Sequence, residues 1–454
     1  MVSDVELVKV GDHCTVVSGF AFKSKDLGNF GIPVIKIKNV NNKIVDISDT
    51  QFFPKELISE KHDKFFVENG DVLIAMTGQG SVGRVGRLKN NYGRKILLNQ
   101  RVGKFSVKPS LDLGFLYYVL SSDKYENILF NAAIGSGQPN LSPSDIYNIE
   151  IPYLNIKEQK AIAHILGSLD DKIELNRQMN ETLEAMAQAL FKSWFVDFDP
   201  VLDNALAAGN PIPDELSARA EQRQALPPSD TDNHVIRELF PDAFEFTEEM
   251  GWIPEGWAVG KYSDLAALNP ESWNKKNMPE EISYVDLGNT NNGKIDLVVA
   301  YSSSEAPSRA KRVLSVDDTV IGTVRPGNRS FAFIHNKGLT GSTGFAVMRP
   351  LEHINRSYIY LGLTQDIVID YLAHIADGGA YPAINPSVVA DLECIIPPSE
   401  ILEKFDNLAY CFMKKIGVNH NHNETLAKLR DTLLPKLLSG ELRITDAAAM
   451  VDEV

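Results

Sequence analysis

The feature that most constrains this chain is a long heptad pattern that occurs twice. Between Glu158 and Trp194, apolar residues and asparagines recur alternately four and three positions apart, which is the period of a helix packed along another helix. At about 1.5 Å per residue, these 37 residues predict a helix roughly 55 Å long. The seam positions are Ile162, Leu166, Leu169, Ile173, Asn176, Asn180, Leu183, Ala187, Leu190 and Trp194.

A diverged second copy of this pattern lies 243 positions further along the chain. The tripeptide Asn180 to Thr182 recurs as Asn423 to Thr425, and Asn176 falls on Asn419. A buried Asn on such a seam costs stability but fixes the register of the helices. The alternative is that these asparagines lie at a solvated edge. Two equal helices in one chain favour an antiparallel pair, because the long intervening segment leaves room to reverse direction.

The helix-pair prediction, which includes possible partner contacts, rests on residues shared by the two copies. They are Ile162, Leu169, Ile173, Asn176, Asn180, Leu183, Leu190, Trp194, Phe405, Phe412, Ile416, Asn419, Asn423, Leu426 and Leu433. Phe191, Trp194, Phe195 and Phe198 form a cluster too aromatic for a two-helix seam alone. It is expected to cap the helix pair or contact a partner, with plain core packing as the alternative.

Length and composition describe a multidomain globular protein. A chain of 454 residues is too long for one core and predicts two to four domains. It contains no stretch of roughly 20 apolar residues and no signal peptide at its start. The three cysteines, Cys14, Cys394 and Cys411, lack metal-ligand spacing and indicate thiols in a reducing compartment, so a cytoplasmic location is expected.

The net charge of −15 is unevenly distributed, which matters for the choice of partner. Between Asp197 and Met250, 13 acidic residues face three arginines, in a proline-containing segment expected to be a linker with a short helix or two. Val82 to Phe105 instead holds seven Lys or Arg and no acid, and Thr319 to Pro350 is likewise basic without acid. Two basic faces in an acidic protein suggest contact with a phosphate backbone, although a solvated surface is the simpler interpretation.

The repeat extends beyond the helices into the segments before them. GDVLIAMTG from Gly70 matches DDTVIGTVR from Asp317, and VIKIKNVNN from Val34 resembles YVDLGNTNN from Tyr284. Each match predicts a strand followed by a polar tip. The predicted fold class is α+β, with two mixed α/β domains separated by two long antiparallel coiled-coil-like helices in a pseudo-twofold repeat. The predicted boundaries are residues 1–154 and 251–398 for the domains, 155–196 and 399–442 for the helices, 197–250 for the acidic linker and 443–454 for a tail.

Several segments in and beside the two predicted helices resemble those of a known family. IPYLNIKEQKAIAHIL, NRQMNETLEAMAQALFKSWFVDFDP and the closing LLPKLLSGEL are similar to the helices of specificity subunits of Type I restriction-modification systems, and GWIPEGW resembles the lead-in to a target recognition domain. The resemblance implies a non-catalytic subunit that binds double-stranded DNA at a bipartite target. It also implies two methyltransferase subunits and additional restriction subunits as partners. S-adenosylmethionine, ATP and Mg²⁺ are expected on those partners, with no cofactor on this chain.

Candidate DNA-binding residues are polar or basic side chains at loop tips beside predicted strands, because base edges are recognised by Arg, Lys, amide and hydroxyl groups. Arg84 and Arg325, which follow matching strands, are the leading pair. The candidates are Lys36, Lys38, Asn39, Thr77, Gln79, Ser81, Arg84, Arg87, Arg101, Gln138 and Asn140 in the first domain, and Asn289, Asn291, Arg325, Asn328, Arg329, Ser342, Thr343, Tyr381 and Asn385 in the second.

Two other classes of protein, an enzyme and an assembly adaptor, have less support in the sequence. A solitary DNA methyltransferase or nuclease would need a cofactor loop or a carboxylate cluster; Gly78, Gly80 and Gly83 spell G-x-G-x-x-G, but the following residues are basic and turn-rich rather than helical. His420 and His422 lie on the predicted helix without further ligands, so no metal site and no catalytic residue is predicted. The third class is a coiled-coil assembly adaptor that does not read bases, which DNA-binding experiments would distinguish.

Overall fold

The computed structural model describes residues 6–41, 43–89, 92–133, 139–225, 234–274, 276–376 and 382–453. Two 40-residue helices are its longest elements, and each end of the second lies 243 positions after that of the first. The helices are α1 Val10–His13, α2 Leu113–Leu120, α3 Asp123–Ala133, α4 Pro143–Tyr147, α5 Ile156–Phe195, α6 Asp199–Ala208, α7 Asp214–Gln224, α8 His234–Arg237, α9 Tyr262–Leu265, α10 Arg356–Leu363, α11 Asp366–Ala376, α12 Pro386–Ala390, α13 Ser399–Leu438 and α14 Ile444–Asp452.

The chain divides into two compact units, and the divisions fall inside the long helices. The first unit comprises Met1–Leu175 and His422–Val454, and the second comprises Asn176–Asn421. Each unit therefore contains one mixed domain together with about half of each long helix. The predicted boundaries, which separated domains from helices, do not show this sharing of the helices.

The first unit contains a six-stranded sheet in the order β2-β11-β8-β9-β5-β4, a four-stranded sheet in the order β6-β3-β10-β7, and a β1-β12 pair. Its core includes helix α2, with Phe115, Leu116 and Leu120 fully buried. The strands are β1 Leu7–Lys9, β2 Cys14–Ser18, β3 Ile32–Ile35, β4 Val40–Asn41, β5 Ile44–Val45, β6 Gln51–Phe53, β7 Phe66–Val67, β8 Val72–Ala75, β9 Val85–Arg87, β10 Ile96–Leu98, β11 Val102–Val107 and β12 Glu150–Pro152.

The second unit contains sheets in the orders β16-β25-β22-β23 and β20-β17-β24-β21, with the pairs β13-β14, β15-β26 and β18-β19. The strands are β13 Phe244–Thr247, β14 Gly251–Pro254, β15 Ala258–Lys261, β16 Ala266–Leu268, β17 Glu281–Val285, β18 Thr290–Asn291, β19 Lys294–Ile295, β20 Val299–Ser302, β21 Ala310–Leu314, β22 Thr319–Gly322, β23 Phe331–Phe333, β24 Leu339–Ser342, β25 Phe345–Pro350 and β26 Glu393–Ile396.

The internal repeat predicted from the sequence is confirmed by the strands. The segments GDVLIAMTG and DDTVIGTVR form β8 and β22, which are buried at every position. A parallel pair also recurs: β10 joins β3 with Leu97 opposite Val34, and β24 joins β17 with Thr340 opposite Tyr284. The fold is therefore α+β with two related mixed domains, as expected.

The long helices begin and pair for identifiable reasons. Asn155 caps α5, because its Oδ1 accepts from Lys157 N and Glu158 N at 3.1 Å each, while Glu158 Oε2 accepts from Asn155 N at 3.3 Å. In the first unit, Arg430 on α13 donates to Asp170 on α5 at 2.6 Å. In the second unit, Asn180 on α5 lies beside Asn419 on α13. The α13 number falls as the α5 number rises, which makes the pair antiparallel, as predicted.

The seam asparagines are hydrogen-bonded in matching ways. Asn419 Nδ2 donates to Asn180 Oδ1 at 2.7 Å, and these side chains are 1% and 8% exposed. Asn180 Nδ2 also lies 3.4 Å from Ile416 O, and in the first unit Asn423 Nδ2 lies 3.4 Å from Ile173 O. These two contacts are related by the 243-residue repeat. Burial of Asn180 and Asn419 confirms the seam prediction for that pair and excludes the solvated-edge alternative there.

The aromatic cluster at the end of α5 is internal to the second unit. The rings of Phe191, Trp194, Phe195 and Phe198 are 4–5% exposed. Phe195 and Trp194 contact Phe405 of α13, with ring centroids 4.8 and 5.7 Å apart. The cluster therefore packs within the core of the second unit, which is the core-packing alternative, and rings that are 4–5% exposed offer little surface to a partner.

Part of the acidic segment belongs to this same core. Val201 and Leu202 of α6 are fully buried, so Asp199–Ala208 is not a linker. Arg219 on α7 donates to Asp199 through Nε and Nη2, each at 2.7 Å. Burial raises the pKa of the Asp199 carboxyl, but hydrogen bonds from Arg219 and Ser193 outweigh it and lower that pKa overall. Among the described residues, no helix is long and apolar enough to cross a membrane.

Substituting Asn419 with Ala is expected to destabilise the chain by about 1–3 kcal/mol, because the Asn180 carboxamide oxygen loses its buried donor. Replacing both Asn180 and Asn419 with Leu is expected to recover most of that loss. Denaturant unfolding followed by circular dichroism measures both effects. The exposed Asn407→Ala on the same helix is the control and is expected to change stability by less than about 0.5 kcal/mol. Equal effects at positions 419 and 407 would contradict the role of the seam.

Candidate nucleic-acid interface

In each unit, the loop after a buried strand is bridged to a segment further along the chain. That segment follows α3 in the first unit and α11 in the second. Thr77, after β8, forms an antiparallel bridge with Asn140, and Val324, after β22, forms one with Ala383. Arg325 N also donates to Pro382 O at 2.8 Å. The structure thus brings together candidates that are about 60 positions apart in sequence.

Each of these loops contains left-handed backbone. In the first unit, Gly78 has φ of +109°, and a Cβ there would lie 2.4 Å from Ser81 Oγ, so only glycine fits. In the second unit, Arg325 and Arg329 have φ of +48° and +57° on either side of a 3₁₀ turn at Pro326–Asn328. Each non-glycine left-handed residue costs on the order of 1 kcal/mol, and such strain is found most often at functional sites.

The second unit has a cleft of about 570 Å³ beside its loop. Arg325, Asn328 and Thr343 line it, and each of these predicted residues is exposed. Asp286 and Arg309, which the sequence analysis did not select, line it as well. This cleft combines cationic, amide and hydroxyl groups, which are the groups that recognise base edges.

Arg84 and Arg329 each donate to a polar side chain of their own unit. Arg84 lines a cleft of about 320 Å³ in the first unit with Asp123 and Glu126, and it donates to Asn41 Oδ1 at 3.0 Å. Arg329 donates to Asp366 at 2.5 Å and to Asp370 at 3.4 Å. Both side chains brace their loops.

Three predicted DNA-binding residues are buried or held by contacts within the fold, so we correct them to structural positions. Asn39 is 3% exposed, and its carboxamide bonds Lys36 N, Asp46 O and Asp49 O at 2.9–3.0 Å. Ser342 is fully buried in β24. Arg87 lies 3.6 Å from Asp170 and stacks over the Tyr117 ring at 4.8 Å.

The remaining first-domain candidates are at or near the surface. Lys38 forms an exposed ion pair with Asp49 at 2.6 Å, and Lys36 contacts Gln51. Burial and then the neighbouring Lys38 charge lower the pKa of the Lys36 ammonium. Gln79, Arg101 and Asn140 are exposed, whereas Thr77 and Ser81 are half-buried.

In the second domain, Asn291 and Asn385 are exposed and Asn289 is half-buried. Asn385 caps α12 through a 3.0 Å hydrogen bond from Ser387 N to its Oδ1, so its carboxamide is partly used by the fold. Gln138 and Tyr381 lie outside the described residues.

A basic segment at the start of β21 was missed by sequence reasoning. Ser308 to Arg312, SRAKR, holds three cations in five residues, which is a signal that could have found it. Arg309 enters the cleft lining, and burial lowers the pKa of the Arg312 guanidinium. Across the described ranges, no group of three or more His, Cys, Asp or Glu is arranged to hold a metal ion.

Comparison with known proteins adds sequence relatives over nearly the whole chain. A family profile described as "Type I restriction modification DNA specificity domain" matches residues 2–185. The chain is 28% identical to the Type I restriction enzyme HindI specificity subunit of Haemophilus influenzae, covering 89% of this chain and 92% of that one. It is 26% identical to the MjaIX specificity subunit of Methanocaldococcus jannaschii, covering 93% and 86%.

The fold has a counterpart among solved structures. The S subunit of a Type I restriction-modification system from M. genitalium matches with a TM-score of 0.55 at 15% identity, covering 96% of each chain. At that identity the match supports the fold alone, and it agrees with the two-domain layout described above.

Arg325→Ala is expected to weaken binding to a cognate DNA duplex by about 1–3 kcal/mol, because Arg325 is exposed, lines the cleft and is a predicted base contact. Arg329→Ala, four positions away, is the matched control, since two carboxylates already hold that guanidinium. Fluorescence anisotropy with a labelled duplex measures both variants. Equal losses for the two variants would mean that the cleft arginine has no special role.

Proposed function

We infer that this chain is one of the specificity subunits of Type I restriction-modification systems, and that its two domains each read one half of a bipartite DNA target. The observation that carries this proposal is the recurrence, in both units, of a bridged loop with polar tip residues beside it. Duplicated readers with different side chains suit two unlike half-sites. The differences are concrete: Gly78, Gly80 and Gly83 shape the first loop, and Arg325 and Arg329 the second.

We also propose that this chain is a non-catalytic scaffold. Its partners would be two methyltransferase subunits and restriction subunits, which would carry S-adenosylmethionine, ATP and Mg²⁺. Such a complex would act on DNA in the cytoplasm. The half-buried arginines Arg349 and Arg356 pair with Asp318 and Asp406, which are contacts within the fold.

The test is methylation of a random-sequence DNA library by this chain co-expressed with its methyltransferase subunit, followed by sequencing of the modified sites. A split motif with a constant gap is expected, because two reading domains carried by one chain would recognise two separate DNA segments. A stable complex that methylates without sequence preference would contradict base reading and favour an assembly adaptor.

The helices are proposed to set the gap between the half-sites. Inserting one heptad into each long helix at positions that face each other, directly beside Asn180 and Asn419, lengthens the pair by about 10.5 Å and keeps its register, and base pairs rise by about 3.4 Å each. The sequenced motif is therefore expected to gain a spacer about three base pairs longer, with both half-sites unchanged. A heptad inserted into one helix alone is the control, and it is expected to disrupt the seam and abolish methylation. An unchanged spacer in the double insertion would refute the ruler.

A further inference from the structure

The cleft of the second unit contains an arginine that is oriented by a fixed carboxylate. Asp286 Oδ1 accepts from its neighbour Leu287 N at 2.8 Å, which fixes the carboxylate on its own turn. Asp286 Oδ2 accepts from Arg309 Nη2 at 3.3 Å. The two oxygens thus have separate tasks: one anchors the carboxylate, and the other holds one corner of the guanidinium.

The backbone on both sides of this pair is also fixed. Thr343 N donates to Arg309 O at 2.9 Å, and Asp286 is the residue between β17 and the 3₁₀ turn Leu287–Asn289. Arg309 immediately precedes β21. The guanidinium is therefore carried by ordered structure at its base and restrained near its tip.

Most of the Arg309 guanidinium remains accessible. The Arg309 side chain is 59% exposed and that of Asp286 is 28% exposed. Within the part of the chain that the structure describes, Asp286 is the acceptor recorded for this guanidinium. Arg329, Arg349 and Arg356 differ, since each is held by two carboxylates.

The Arg309–Asp286 ion pair is too exposed to contribute much to the stability of the fold. Exposed pairs of this type stabilise a protein by about 0–1 kcal/mol, so stability alone gives little reason for it. Restraining one edge of an arginine has a different effect, because the planar fork then presents its other donors in a defined direction. Two such donors match guanine O6 and N7 in the major groove, the most frequent specific contact between a side chain and a base.

We propose that Arg309, positioned by Asp286, reads a guanine in the half-site recognised by the second domain. The inference rests on the proposed function and deepens it, since it names a residue and the base that it selects. Arg309 would contact the guanine, whereas Asp286 would act as a positioning residue through Arg309. The cleft residues Arg325, Asn328 and Thr343 would contact neighbouring groups of the same half-site.

The experiment compares methylation motifs of wild-type and variant complexes on the random-sequence library. Arg309→Ala is expected to reduce preference for guanine at one position of one half-site by roughly 5- to 150-fold. Arg309→Lys is expected to lose preference at that position too, because an ammonium lacks the planar fork. Asp286→Asn keeps an acceptor for Leu287 N and is expected to give a smaller loss at the same position.

Two controls keep the outcomes separate. The other half-site should be unchanged in every variant, which shows that the complex remains folded, and Lys337→Ala removes an exposed cation of the same unit that does not line the cleft. Arg309→Ala that lowers methylation of all sequences equally would indicate a phosphate contact and overturn the inference, as would an unchanged motif. If the wild-type complex shows no split motif, the proposed function fails first and the inference with it.

Discussion

The buried amide pair of Asn180 and Asn419 sets the register on which the second unit depends. An amide excluded from water costs free energy unless it finds a partner, and a shift of either helix would place each carboxamide against apolar side chains. In the observed register, Asn419 Nδ2 donates to Asn180 Oδ1 at 2.7 Å, so each carboxamide has a partner in the other. The same register brings Phe195 of α5 against Phe405 of α13, and both rings belong to the core that also contains Trp257 and Val201 of α6. The Asn180–Asn419 pair thus lowers the stability of the helix pair but selects one register, and with it one packing of the core.

Ion pairs within the fold reduce the number of free cations below the number that the basic runs of the sequence contain. Within the basic run Val82 to Phe105, Arg87 pairs with Asp170, Lys89 with Asp171 and Lys104 with Asp71. These acids are distant in sequence or lie outside the run, so no window of sequence reveals them. Buried and half-buried cations are bound by such partners because an unpaired charge is costly away from water. A basic run therefore gives an upper limit for the cations that can reach phosphates.

The repeat made much of the fold predictable, and the same reasoning misdirected part of the site. Helix period, seam asparagines and the strands β8 and β22 are properties that both halves share, and the sequence predicted them correctly. Arg84 and Arg325 were selected because they follow matching strands, but Arg84 is half-buried and donates to Asn41 Oδ1. Arg309 lies in none of the loop tips that follow the matching strands, so the repeat gave no signal for it. Residues that distinguish two half-sites are expected where the halves differ, and only the folded cleft shows which of those positions come together. Burial of α6 was also hidden, since proline and acid in its flanks resemble a linker.

The way in which the loops are anchored explains how one fold can carry different readers. Thr77 with Asn140 and Val324 with Ala383 are joined through backbone groups, and so is Arg325 N with Pro382 O. Backbone hydrogen bonds do not depend on side-chain identity, so exposed tip residues can change at little cost in stability, typically within about 0.5 kcal/mol. Side chains such as Arg329 and Asn39 that brace a loop lack this freedom, because carboxylates or backbone groups already bind them. The division between polar residues that brace a loop and those that do not therefore follows from the hydrogen bonds of the fold.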